Sequence, residues 1–469
     1  MQAVVYGLFV YCNRLIGAPS LTPPQSELLA AIPSDIRTVL TRLGLDPEII
    51  RYASCPKCRC TYPPDEKNAA KPYPSRCTYQ ETDKGKCGER LVQEVPGGLG
   101  REEALKYYPY HSLKKWLAAL SLRPELLKLA RNAWDSTSSS TGGWHDIWDA
   151  PILRDFLGPD KRTPFSSQPD GSVHLVFSLF IDWFNPFGNK KAGKSHSIGG
   201  IYLVCLNLPP HLRYRPENIY LAGIIPGPQE PELHELNHYL RPLVEELLVL
   251  WHRGLYLRGM AHDQAGWLIR AAVVPLVCDL PALRKTAGFA SHSANQFCSF
   301  CLLRKEDITN LDRSSWPRRS REDHYRYARR WRDAGTDAER ARLFKKYGVR
   351  WSELLRLPYW DPMRFSLVDA MHNLFLGELR HHCRHVWGIN DKENRSQTGG
   401  ITPHTPEEQQ EWLNCVAAAL KKGAGWSRIR RGYVAATAEH NKAVPPGSSN
   451  LAKAKCIAAL MKWVRCSFI

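Results

Sequence analysis

Two aspartates sit in apolar, strand-like surroundings where a charge is out of place. Asp182 lies within Val173–Phe187, a run of Val, Leu, Ile, Phe and Trp, and Asp279 closes the run Ala271–Asp279. A carboxylate in the middle of a buried strand costs several kcal/mol unless a cation or good donors meet it. Two such acids, separated by further strands and a helix, suit metal-dependent phosphoryl transfer, where divalent ions flank the attacking and leaving oxygens. Mg2+ or Mn2+ fits these oxygen ligands. Taken alone, each Asp reads equally well as a strand-end or turn residue; the pair points to function.

Cysteines form a second constellation. Of fourteen in the chain, Cys55, Cys58, Cys60, Cys77 and Cys87 crowd one stretch, and Cys298 and Cys301 form a separate Cys-x-x-Cys. Clustering of this kind fits metal binding in a reducing compartment better than a disulfide scaffold. Cys55, Cys58, Cys77 and Cys87 offer four thiolates for a zinc-ribbon-like Zn2+ site, with Cys60 a rival to Cys58. Reduced cysteines in a loop are the plain alternative. For Cys298 and Cys301 the candidate partners are His381 and His385, one helical turn apart, in competition with His372, His382 and Cys383.

A third feature is basic. Between Arg304 and Arg350, fifteen Lys and Arg face eight Asp and Glu, interleaved with Trp316, Tyr325, Tyr327, Trp331, Phe344 and Tyr347. Arg318, Arg319, Arg329, Arg330, Lys345 and Lys346 are candidates to track a phosphate backbone. A solvated, salt-bridged helix face is the simpler use of the same residues. No base-specific code is legible.

The elements that must hold these groups follow from patterning. Residues 1–50 read as a helical lead-in broken at Pro23-Pro24, with Ser34-Asp35 as a helix cap. Residues 51–95 form the Cys-rich module, too polar to stand without a metal. A helical region spans 100–150, with leucines at helical spacing from Leu113 to Ala130 and a flexible Ser136–Gly143 link. Residues 165–300 run strand, strand, strand, helix, strand; the strands are 173–184, 199–208, 218–225 and the run ending at Asp279, and the helix is 232–252. Gly- and Pro-bearing connections suit antiparallel pairing of the first three. Residues 301–400 form a basic helical insertion, with an apolar, histidine-bearing helix over 361–388. Short helices joined by the Pro445–Ser449 turn fill 401–469.

This order, with one Asp in the first strand and another ending the fourth, is the layout of an α/β ribonuclease H-like core interrupted by a helical insertion. In that layout the first and fourth strands are neighbours. The motifs Asp182–Asn189 (DWFNPFGN), Leu206–Pro209, Gly223–Pro228, Cys278–Phe289, Cys298–Cys301 and Asp369–Gly377 (DAMHNLFLG) follow in order. Together they resemble CACTA-type (En/Spm-like) DNA transposases, especially the form carried by mushroom-forming fungi, from about residue 50 to the end.

The resemblance implies a DDE/D transposase that binds terminal repeats and target DNA, cleaves with metal ions and transfers strands, with Asp182 and Asp279 matching the first two acids. It also implies a nuclear location and leaves room for a homo-oligomer. Related recombinases similarly join a Cys pair and a His pair around an insertion. The third acid, expected in a segment resembling Lys-Leu-x-Ala-Asp-x-Trp-Arg, is not found. Asp369 and Glu378 are upstream candidates, and packing, capping or support of a zinc site is the expected role of Asp369. A catalytically incomplete, truncated transposase is therefore expected. The rivals are a non-catalytic, domesticated DNA-binding zinc protein and a metal-dependent nuclease.

Composition bounds these readings. The net charge of +18 over 469 residues favours a polyanionic partner, nucleic acid first. No apolar run approaches the ~20 residues of a membrane span. The opening Ala3–Cys12 run is expected to be a buried helix or strand, or a gene-model edge, rather than a signal peptide. Arg318–Arg321 and Arg428–Arg431 are weak candidates for nuclear import signals.

Overall fold

The computed structural model describes residues 2–383, apart from positions 16, 18, 19 and 99 and the stretches 32–37, 39–46, 134–145, 168–171, 188–195 and 259–265. His385, the Arg428–Arg431 cluster, the helices and turn expected beyond residue 400, the Ser34-Asp35 cap and the Ser136–Gly143 link lie outside the described residues.

Helices α1 (Gln2–Leu15) and α2 (Pro23–Ala31) open the chain. Pro23 and Pro24 start α2, because proline lacks only an amide that a first turn leaves unpaired anyway. Five short strands follow: β1 (Ile49–Ser54), β2 (Thr61–Tyr62), β3 (Val92–Glu94), β4 (Glu102–Ala104) and β5 (Tyr107–His111). Then come α3 (Leu113–Ser121) and α4 (Pro124–Arg131), over the leucine-patterned span.

The central run is β6 (Val173–Phe184), β7 (Ile198–Cys205), β8 (Ile219–Ile225), α5 (Leu236–His252), β9 (Leu255–Leu257), β10 (Trp267–Cys278) and α6 (Leu280–Ala287). The basic region contributes α7 (Arg321–Asp333) and α8 (Asp337–Tyr347). Strand β11 (Ser366–Val368) and a π-wound helix α9 (Met371–Leu379) end the described chain.

One mixed sheet organises the molecule, in the order β11-β10-β6-β7-β8-β5-β1-β2, with β9 pairing β10. β6, β7 and β8 are antiparallel neighbours, whereas β10 joins β6 in parallel and β11 joins β10 in parallel. The crossover from β8 to β10 passes through α5, which buries Tyr239, Leu243, Leu247 and Leu250 in the core shared with β6 and β10. Covered on both faces, β6 is buried without alternation from Val173 to Leu179, His174 and Ser178 included.

The Cys-rich module joins this sheet. β1 pairs along β5, and β5 meets β8 at Tyr110 and Gly223. A side chain at Gly223 would collide with the Tyr108 ring, the nearest ring atom standing 2.7 Å from an added Cβ. The Tyr108 hydroxyl donates to the Tyr239 carbonyl at 2.9 Å, tying β5 to α5. Glu246 on α5 accepts from the Tyr110 hydroxyl at 3.0 Å, Ser112 Oγ at 2.6 Å and the Leu113 amide at 2.5 Å, so it caps α3 from a distance.

Two expectations need correction. Asp182 is not in the buried middle of its strand: burial along β6 ends at Ile181, and Asp182 stands exposed, without the burial cost. The helix expected over 361–388 begins later. The run Ser366–Val368 is a strand on β10, too short to be told from a helix start by periodicity.

Candidate functional site

Parallel pairing of β6 and β10 brings the two aspartates to one end of the sheet. The register pairs Leu276 with Leu179 and Val277 with Phe180, and each Asp lies two residues farther along its strand. Between them sits Cys278, whose sulfur accepts the Ile181 amide at 3.3 Å. Asp279 closes β10 and caps α6, accepting the Ala282 amide at 2.7 Å. It thus fills the strand-end role.

A third acid arrives on β11. Val368 pairs with Cys278, and the next amide, that of Asp369, donates to the Cys278 carbonyl at 2.7 Å. Burial, followed by the charges of Asp279, Asp182 and Asp369, pushes the Cys278 thiol far above its usual range. Tyr202, beside them on β7, is raised to about 12 by burial and then by Asp182, Cys278 and Asp369. Strands β6, β10 and β11 thus bring three carboxylates to the sheet end that holds this buried cysteine.

Their readiness differs. Asp182 accepts its neighbour's amide, Trp183 N, at 2.8 Å and is otherwise open to solvent. Across the strand pair lies Gly200, where an added Cβ would meet nothing nearer than Tyr202 at 4.0 Å, leaving space beside the carboxylate. Asp369 is engaged: Oδ2 receives His372 Nδ1 at 2.6 Å, and the Met371 amide reaches Oδ1 at 3.2 Å. This is the capping role expected for it, at the start of α9. Glu378, the other candidate, is exposed on α9. Lys285 supplies a nearby cation, its Nζ 5.1 Å from the Trp183 ring centroid and 2.9 Å from Glu230.

The four thiols form the second site. Cys55, Cys58, Cys77 and Cys87 bring their sulfurs within 4.8 Å of one another, the one group of three or more metal-competent side chains so gathered among the described residues. Cys55 and Cys87 sulfurs are 3.8 Å apart, and Cys58 and Cys77 sulfurs 3.4 Å. A tetrahedral ion with Zn–S bonds of about 2.3 Å sets its sulfurs about 3.8 Å apart, so the cluster has the chemistry and size to hold a metal such as zinc. A hydrogen bond from the Cys58 thiol pulls Cys55 down to about 5, while Cys58 retains its proton and is raised. Cys60 lies outside the group; burial lifts its thiol to about 11, and it packs in the module's small core.

Tyr62 was not singled out by sequence. Its hydroxyl lies 3.2 Å from Cys77 Sγ and accepts the Thr78 and Tyr79 amides at 2.9 and 3.1 Å, so it is oriented to donate to the thiolate. No spacing rule flags it, because it reaches the site across the β1–β2 turn.

Cys298 and Cys301 lie in the loop before α7, held by Arg319, whose Nε donates to both carbonyls at 3.0 Å. His381 follows α9 and is exposed; its proposed companion His385 lies outside the described residues. Arg319 is committed to this internal bracing. Arg318, Arg329, Arg330, Lys345 and Lys346 are exposed. Arg326, Arg329 and Arg330 line a cleft of about 560 Å³ between α7 and α8.

Residues 160–339 match the family model described as Transposase family tnp2. This segment is similar to tnp2-family transposases. The match agrees with the CACTA-type resemblance, and it spans both β6 and β10 with Asp182 and Asp279. The tnp2 segment also takes in Cys298, Cys301 and α7, while the four-thiol cluster and Asp369 lie outside it. No curated protein matches the chain.

Proposed function

We propose that this protein is a transposase-derived DNA-binding protein in which Asp182 and Asp279 are the first two acids of a DDE/D-type site on a ribonuclease H-like core. One observation carries the proposal: both acids of the matched segment lie at the same end of adjacent parallel strands, each two residues beyond the Val277–Phe180 pair. Three antiparallel strands, a helix crossover and a parallel fourth strand beside the first support that core.

The donor set fits Mg2+ or Mn2+, since carboxylate oxygens are the hard ligands such ions take. When bound, paired ions would stabilise charge on the attacking and leaving oxygens of a phosphodiester. Asp182 and Asp279 would hold them, and the open space over Gly200 would admit the backbone. Asp369 stands at the same sheet end, but its carboxylate serves His372 and the start of α9. The three acids are not gathered within 4.8 Å of one another. Asp182 and Asp279 each give one oxygen to a backbone amide, whereas both oxygens of Asp369 are engaged, which favours a protein that binds DNA more securely than it cleaves it. The same observation favours a second reading, a non-catalytic DNA-binding zinc protein that keeps the scaffold.

DNA is the partner that the transposase family implies, and the nucleus is the proposed location on that ground. Exposed Arg329, Arg330, Lys345 and Lys346 on α7 and α8 are proposed to track phosphates. Zn2+ is proposed at the four thiols.

The test is a hairpin-nicking and strand-transfer assay on the purified full chain with Mg2+ or Mn2+, alongside salt-dependent DNA binding. Binding should survive an Asp182→Ala, Asp279→Ala double change, with little cleavage by either protein. Robust Asp182-dependent cleavage would establish a working enzyme and overturn the incomplete-site reading. Loss of binding in the double variant would overturn the basic-surface reading.

A further inference from the structure

Cys77 and Cys87 bracket a loop whose tip touches three separate parts of the molecule. Glu81 lies between an imidazole and a guanidinium: His234 Nε2, just before α5, is 3.3 Å from Oε2, and Arg340 Nη1, on α8, is 2.5 Å from Oε1. Arg340 Nη2 also donates to the Glu81 carbonyl at 3.2 Å and to the Arg332 carbonyl of α7 at 3.0 Å. The Asp83 amide donates to the Gly335 carbonyl at 3.0 Å, in the turn between α7 and α8, and Lys84 pairs with Asp337. The Arg340 guanidinium packs 4.7 Å from the Trp331 ring centroid and its side chain is 11% exposed. The α7–α8 hairpin is therefore seated on this loop.

Besides the cysteines, the start of the loop is held by the Tyr62 hydroxyl, which accepts the Thr78 and Tyr79 amides, and by the Tyr79 ring set edge-on to His238 at 4.6 Å. The loop's ends are fixed by the Cys87 amide donating to the Tyr79 carbonyl at 2.8 Å and by the thiols reaching back to Cys55 and Cys58. The module's buried core is Ala53, Leu91, Val92, Ala104, Tyr73 and three cysteines. So small an apolar core cannot by itself hold a loop under load from a charged interface.

We propose that the ion at Cys55, Cys58, Cys77 and Cys87 is a clamp for the α7–α8 hairpin: occupancy fixes the 78–86 loop, and the Glu81–Arg340 contact passes that order to the basic helices. Metal loss then frees the hairpin and weakens polyanion binding although no basic residue has changed. The clamp rests on the thiol cluster and its contacts and needs no cleavage chemistry.

The test compares hydrogen–deuterium exchange of the full chain as purified with zinc and after chelation, zinc content being measured on both. Peptides covering 78–86 and 335–347 should exchange roughly ten-fold faster or more once zinc is removed, while the core strands 173–184 and 267–278 hold their rate. Arg340→Ala should keep its zinc yet show the same acceleration over 335–347. Emptied thiols with an unchanged rate over 335–347 would overturn the proposal. If chelation also opens the core strands, Arg340→Ala decides: faster exchange over 335–347 with zinc and core rates retained supports the clamp, and an unchanged rate overturns it.

Discussion

The Asp369 amide donates to the Cys278 carbonyl at 2.7 Å, which brings an acid from the far side of the basic insertion to the strand end that carries Asp279. Ninety residues of sequence separate the two aspartates. A three-residue strand, β11, closes that distance. The carboxylate it delivers then turns to His372 rather than to its acidic neighbours.

A capping role for Asp369 has a stability signature. Asp369→Ala removes the acceptor for His372 Nδ1 and for the first amides of α9, and should destabilise the native state by about 1–2 kcal/mol in urea denaturation. An unchanged midpoint would mean that the cap contributes nothing.

Tyr62→Phe should leave the fold intact and weaken zinc affinity roughly ten-fold, because the Cys77 thiolate loses its hydroxyl donor while keeping its place. Competition with a zinc chelator reads this directly. Cys87→Ser should cost far more affinity, since it removes a ligand rather than the support of one.

His324 predicts the behaviour in acid. Burial, followed by the charge of Arg319, holds its imidazole down to about 3, and its ring packs edge-on against Phe289 at 4.8 Å. Below an unfolded value of about 6.5 the unfolded chain takes up a proton that the native state refuses, so stability falls as pH drops from about 6.5 toward 3. The slope is at most about 1.4 kcal/mol per pH unit for this group. His238, held near 3 mainly by burial, adds in the same direction. His324→Phe should flatten the pH dependence of the denaturation midpoint between pH 6 and about 4; an unaltered slope would exclude His324 as its source.

Much of the fold was legible because its signals were local. The apolar runs at 173–184 and 267–278, the Gly/Pro connections and the leucine spacing of α5 each mark an element without reference to the rest. The Cys55–Cys58 knuckle was similarly clear. What stayed hidden depends on distant parts meeting. Asp182 looked buried because the sequence does not show where burial along β6 stops. Glu246 capping α3 and Glu81 holding Arg340 join residues more than a hundred positions apart. Choosing Cys58 over Cys60 needed the direction of each side chain at the β1–β2 turn, which spacing does not supply.

DNA binding should depend on the hairpin in a countable way. Changing Arg329, Arg330, Lys345 and Lys346 together to Ala should weaken binding across unrelated sequences and reduce the steepness of its salt dependence by up to about 3.6 in the slope of log K against log salt. A large loss at one DNA sequence only would point instead to base readout.

The most direct test of the account is Mn2+ binding followed by electron paramagnetic resonance on the zinc-loaded full chain and on Asp182→Ala, Asp279→Ala and Asp369→Asn variants. If Asp182 and Asp279 form the metal-holding pair, each alanine change should abolish tight binding, and Asp369→Asn should leave it nearly unchanged. Mn2+ bound equally well by the Asp182→Ala and wild-type proteins would contradict the account.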